Sequence, residues 1–138
     1  PYSTHVDYSD DPRCIGKLDS GGADGGAGYY AAMDQVIGQM HRVLRPGGYA
    51  GLYVSDSFVK GRARKAGEKP AAGASPAGRF MAIGFELFAR LRKHFVPVDI
   101  IAVVRRNQKL ERGNWKAAAE EGNFFLRGFN YLMVMYKG

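Results

Sequence analysis

The sequence predicts an α/β domain, a three-layer sandwich around a mostly parallel sheet whose last strand runs antiparallel. Two observations predict it. Segments with apolar residues at helical spacing alternate with short β-branched and aromatic runs, the order that builds crossover connections between parallel strands. The last two strand-like runs lack a long helix between them, so the final one returns in the opposite direction.

Residues 1–28 are polar and Gly-rich and read as a loop, with Tyr8-Ser9-Asp10-Asp11-Pro12 as turn formers and Gly21 to Gly28 as a stretch of high backbone freedom. From Tyr29 the apolar residues Met33, Val36, Ile37, Met40, Val43 and Leu44 fall on one helical face. Pro46-Gly47-Gly48 stops that helix, because Pro cannot continue it and Gly accepts the positive φ of a cap. Tyr49 to Val54 follows as a short strand of the kind buried on both faces, closed by Ser55-Asp56-Ser57.

Lys60 to Gly78 carries almost no large apolar residue but holds Lys60, Arg62, Arg64, Lys65 and Lys69, and reads as a flexible basic loop. Phe80, Ile83, Gly84, Leu87, Phe88 and Leu91 then mark a second helix face, with Arg90, Arg92, Lys93 and His94 placed to complement its C-terminal dipole. Val96 to Val104 is a strand by its β-branched content. A polar connection from Arg105 to Asn123, with a short helix around Trp115 to Glu121, leads to a final strand within Phe124 to Tyr136. The chain thus divides into 1–28, a helix and strand over 29–57, a basic loop over 58–78, and helix, strand, connection and strand over 79–138, all within one partial domain.

Composition narrows the function classes. With 138 residues, 46% hydrophobic and 12% aromatic, the chain has material for one core, which excludes disorder throughout. A formal charge of +7 favours a polyanionic partner, nucleic acid or an acidic membrane surface, without choosing between them. Cys14 is the only cysteine, so an intrachain disulfide and a cysteine-based zinc site are excluded, and a reducing cytoplasm is expected. No apolar run reaches the roughly 18 residues of a membrane span, and no signal-peptide pattern opens the chain. The absence of an initial Met leads us to expect further sequence upstream.

Pro1-Tyr2, then a helix, Leu44-Arg45-Pro46-Gly47-Gly48 and a strand, and finally Gly128 to Tyr136 as a last strand resemble the amino-directed DNA methyltransferases. These are class I enzymes that modify N4 of cytosine or N6 of adenine. In that family a polar residue, two prolines and an aromatic follow the fourth strand, and Pro1 and Tyr2 match the second proline and the aromatic. The Leu-Arg-Pro-Gly-Gly turn supports the class I fold for any substrate class. The resemblance implies S-adenosylmethionine as cofactor, DNA as partner, and a bacterial, archaeal or phage origin with roles such as restriction-modification.

The chemistry of such a signature can be stated physically. An exocyclic amino nitrogen is a poor nucleophile while its lone pair is delocalised, so acceptors must draw on its hydrogens and favour a pyramidal nitrogen. The family's acceptors, the polar side chain and the first proline's carbonyl, would lie upstream of Pro1. Tyr2 is the residue expected to stack on a flipped base, offsetting part of an unstacking cost of a few kcal/mol. Ser3, Thr4, His5, Asp7 and Tyr8 follow the signature, where the resemblance places a loop bordering the target base. A general base is not required, because transfer from a sulfonium can release its proton afterwards, so contacts from Asp7 or Tyr8 are favoured over catalysis by His5.

Lys60, Arg62, Arg64 and Lys65 leave the carboxyl end of a strand, the edge at which α/β sheets bind ligands, and are placed to neutralise phosphates or to be a solvated insertion. Arg105, Arg106, Lys109 and Arg112 form a second basic run with the same two readings. The Gly-rich Phe-x-Gly-x-Gly type turn that cradles the cofactor in the family is not found, since no apolar strand precedes Gly21 to Gly28. The cofactor-binding residues are therefore expected outside the chain, in the remainder of the domain or in a complementary subunit, and the chain alone is expected to be inactive. RNA or a protein amide as acceptor, and a noncatalytic basic nucleic-acid-binding or assembly module, are the alternatives.

Overall fold

A computed structural model of the chain describes residues 8–21, 24–60, 78–105, 116–117, 119–120, 125 and 127–138. Its elements are a 3-10 turn at Ile15–Lys17, helix α1 (Ala27–Val43), strands β1 (Tyr49–Val54), β2 (Ser57–Lys60) and β3 (Gly78–Met81), helix α2 (Ile83–Leu91), and strands β4 (Val96–Val104) and β5 (Phe129–Tyr136).

Helix α1 starts where Asp24 turns its carboxylate onto the chain, accepting from the backbone N–H of Gly26 at 2.9 Å and of Gly28 at 3.2 Å. Those bonds hold the Asp24 carboxyl below its usual range and place a negative charge at the positive end of the helix dipole. The other end is closed by Lys137, whose Nζ donates to the carbonyls of His41 at 2.6 Å and Leu44 at 2.7 Å. Gly47, at φ 75°, then reverses the chain into β1, and its N–H donates to the Lys137 carbonyl at 2.8 Å. Tyr29, Tyr30, Met33 and Ile37 are buried, as the helical spacing requires, but Val43 is 70% exposed and leaves the expected face.

The main sheet has the order β1-β5-β4, and both of its pairings are antiparallel. This corrects the expectation of a mostly parallel sheet, while the expected antiparallel last strand is present. The reason lies in which strand takes the centre. β5 inserts between β1 and β4, which run in the same direction as one another and are joined through α2, so the two like-directed strands are never neighbours. β4 is suited to an edge: Pro97 lacks an N–H, and the register slips between Pro97 and Asp99.

A second, two-stranded sheet pairs β2 with β3 in antiparallel register from Ser57 opposite Met81 to Lys60 opposite Gly78. The stretch read as starting a basic loop therefore opens and closes with a β-ladder, and Phe80 belongs to β3 instead of the second helix. Residues 61–77 between these strands lie outside the described residues. The described residues of the expected short helix, 116–117 and 119–120, are helical, and Lys116 and Glu120 lie 3.9 Å apart one turn from each other.

One core joins α1, α2 and one face of the main sheet. Tyr29, Met33, Ile37, Leu87, Leu91, Met133, Met135 and Val54 have fully buried side chains. Ala50, Leu52, Val54, Tyr131, Met133 and Met135 are the sheet's contributions, every one on the same side by register. The opposite side presents Tyr49, Tyr53, Val96 and Ile101, which are 63%, 41%, 57% and 44% exposed. β1 is consequently buried on one face only, a second correction to the sequence reading.

Candidate functional site at the carboxyl edge

β1 and β4 end, and β5 begins, at one edge of the sheet, and the N-termini of α1 and α2 reach the same edge. This is where α/β sheets place ligands, because chain reversals there leave a crevice flanked by helix starts. The edge is held by two polar clusters that tie elements distant in sequence.

The first cluster centres on Asp56, just after β1. Its Oδ1 accepts from the Gly84 N–H at the start of α2 at 2.8 Å, and its Oδ2 accepts from the Tyr131 hydroxyl at 2.9 Å. Asp56 thereby fixes β1, α2 and β5 with one carboxylate. Burial first, then the hydrogen bond to the Asp56 carboxylate and its charge, raise the Tyr131 phenol above its ordinary range. Gly84 is required by the packing: a Cβ there would lie 2.6 Å from the Tyr131 ring.

The second cluster, where β1 and β4 end, links Arg105, Asn130 and Tyr53. The Arg105 Nε donates to the Asn130 Oδ1 at 2.7 Å, its Nη2 donates to the same oxygen, and Asn130 Nδ2 donates to the Tyr53 hydroxyl. The Arg105 N–H also donates to the Gly128 carbonyl at 2.7 Å, which joins the end of β4 to the approach to β5. Asn130 is 2% exposed, so satisfying its amide here avoids the cost of an unpaired buried polar group.

Between the two helix starts opens a cleft of about 410 Å³, lined among others by Ser20, Asp24, Tyr30, Phe80, Glu86 and Arg90. Arg90 bridges its wall: its guanidinium lies 2.9 Å from Glu86, 3.4 Å from Asp34, and 4.5 Å from the centroid of the Tyr30 ring. Phe80 remains 48% exposed at the cleft, with the Arg127 guanidinium 4.5 Å from its ring centroid. The volume is within the range of small-molecule sites.

Of the residues singled out in the sequence, Pro1, Tyr2, Ser3, Thr4, His5, Asp7, Arg62, Arg64 and Lys65 lie outside the described residues. Lys60 ends β2, with its side chain likewise outside them. Tyr8 is described and is 53% exposed. Sequence reasoning treated Asp56 as a turn former, Phe80 as a helix-face residue, and Asn130 and Tyr131 as generic strand residues. The usable signal was the apolar pair Phe58 and Phe80 flanking the basic stretch, which the hairpin sets directly opposite one another.

The described residues do not fit S-adenosylmethionine. The one Gly-rich helix start, at α1, is already occupied by the Asp24 carboxylate, and no strand among the described residues leads into it. No group of three or more potential metal ligands occurs among the described residues either.

No protein-family model matches the chain, and no curated protein does. Among solved structures, the chain is similar to a Thermus thermophilus protein assigned as a DNA modification methylase, in its complex with S-adenosyl-L-methionine. The identity is 19% and the TM-score 0.54, over 80% of this chain and 38% of that one. The selenomethionine form of the same protein gives 17% identity and a TM-score of 0.52, over 79% and 36%. The chain therefore shares an α/β fold with part of that protein, and it spans less than two-fifths of the structures it matches.

Proposed function

We propose that the chain is the substrate-side portion of an S-adenosylmethionine-dependent DNA methyltransferase acting on N4 of cytosine or N6 of adenine. The observation that carries this reading is the carboxyl-edge cleft, set between two helix starts in a fold similar to a DNA modification methylase. The formal charge of +7 adds attraction for a polyanion.

In this reading residues 1–28 are the active-site loop, Tyr2 stacks on the flipped base, and the Lys60 to Lys69 stretch meets phosphates. Pro1 sets the entry of that loop, Ser3, Thr4, His5, Asp7 and Tyr8 border the base, and Lys60, Arg62, Arg64 and Lys65 carry the phosphate contacts. The cofactor belongs to the complementary portion of the domain, which also covers the open face of the sheet and supplies its third layer. Burying Tyr49, Tyr53, Val96 and Ile101 is what makes that assembly favourable.

The test is methyl incorporation by the chain combined with a cofactor-bearing methyltransferase portion, offered DNA, RNA and protein in parallel. Transfer to the amino group of a DNA base, lost in Tyr2→Ala without loss of folding, is the expected result. Transfer by the 138-residue chain alone, or transfer only to RNA or protein, contradicts it.

A further inference from the structure

We propose that Phe80, backed by the Arg127 guanidinium, forms a nucleobase platform at the mouth of the carboxyl-edge cleft. The proposal rests on the nucleic-acid-directed reading above and adds to it a binding residue that the sequence pattern did not reveal.

Four observations carry it. Phe80 lines the cleft while keeping 48% of its surface in solvent, although Met81, next to it in β3, is only 7% exposed. An aromatic face left wet beside a polar crevice is apolar area that a planar ligand can remove from water. The Arg127 guanidinium lies 4.5 Å from the ring centroid, a cation on the aromatic face that supports stacking of a planar ligand on the part of the ring left in solvent.

Among the described residues Arg127 has no ion-pair partner, whereas Arg90, in the other aromatic–guanidinium pair of the cleft, is neutralised by Glu86 and Asp34. A stacked base brings its phosphate with it, and Arg127 is placed to meet that charge.

Finally, the platform is anchored. β3 leads through Ala82 into α2, whose Gly84 N–H is held by Asp56, and Phe80 pairs across the hairpin with Phe58. An aromatic held in place loses little freedom on stacking, which favours binding. Aromatic stacking with cationic support recognises nucleobases without selecting among them.

The experiment uses the 138-residue chain and single-stranded DNA and RNA oligonucleotides carrying one 2-aminopurine, whose fluorescence is quenched on stacking. A Phe80-dependent change in that fluorescence, as the base leaves its neighbours for the ring, is expected in at least one polymer, and the two arms identify which. Phe80→Leu should weaken binding about tenfold and Phe80→Tyr should restore it, both with thermal midpoints within a few degrees of the parent. Arg127→Gln should weaken binding and flatten its salt dependence.

Equal affinity of Phe80→Leu and the parent, or equal affinity for an oligonucleotide that is abasic along its whole length, overturns the platform. Methyl transfer by the assembled enzyme that survives such a result leaves the proposed function standing. A Phe80-dependent fluorescence change without methyl transfer in any assembly does the reverse.

Discussion

Over β1 and β5 the two faces of the main sheet have opposite fates, while β4, at the edge, is open on both. On one, Leu52, Val54, Met133 and Met135 lie under α1 and α2 and are at most 6% exposed. On the other, Tyr49, Tyr53, Val96 and Ile101 keep two-fifths or more of their surface in solvent. Both faces are apolar, so composition alone does not separate a finished core from a surface prepared for one. What separates them is which helices the chain brings to which side.

The largest expected effect lies on the covered face. Leu87→Ala, at a fully buried position of α2, should cost about 2–5 kcal/mol in chemical denaturation, because the removed side chain leaves a cavity between the helices and the sheet. Ile101→Ser on the open face should change the stability of the chain by no more than about 0.5 kcal/mol, yet weaken its association with the complementary portion proposed above. If the two substitutions cost the chain alone the same, the distinction between the faces fails.

Gly84→Ala should come next, at about 1–3 kcal/mol, since the added methyl must displace the Tyr131 ring and disturb its bond to Asp56. Tyr131→Phe removes only the hydroxyl and should cost about 1 kcal/mol. Above pH 10 the difference between parent and Tyr131→Phe should shrink. The raised folded-state pKa means that the unfolded phenol ionises first, so this contribution to stability is lost as pH rises past the ordinary tyrosine value.

The smallest effect concerns His41 at the end of α1. Burial first, then the charges of Lys137 and His94, hold its imidazole below the ordinary histidine range, with the Phe95 ring 5.2 Å away. The neutral form is thus favoured in the folded chain, and the unfolded chain takes up a proton first on acidification. Stability should fall as pH drops through the ordinary histidine value near 6.5 toward the lower folded value, and His41→Gln should flatten that slope in thermal melts.

Periodicity exposed much of this architecture. The strands Tyr49–Val54 and Val96–Val104 fall where their β-branched and aromatic runs lie, and α1 begins two residues before Tyr29. These are local signals, carried by side chains a few residues apart. Strand order is not local. That β5 enters between β1 and β4 depends on pairings of residues some 80 apart, such as Tyr49 with Tyr136, and alternation of helix and strand says nothing of such an insertion.

The site was less legible for the same reason. Asp56 looks like a turn residue until Gly84 and Tyr131 arrive from 28 and 75 positions away. Phe80 reads as the first turn of a helix until the hairpin sets it opposite Phe58. The residues the sequence did single out, Tyr2 and the Lys60 to Lys69 cations above all, stood out through a motif and a charge run. Such signals name a chemistry without giving positions.

The central claim is that α1 and α2 complete the core over β1 and β5, and that the open face is an interface. Hydrogen–deuterium exchange of β1 and β4, with and without a cofactor-bearing methyltransferase portion, tests it most directly. The account predicts fast exchange along the outer edge of β1 in the chain alone and strong protection on assembly, with β5 protected in both. Unchanged exchange of β1 in an assembly that transfers methyl groups to DNA would contradict it.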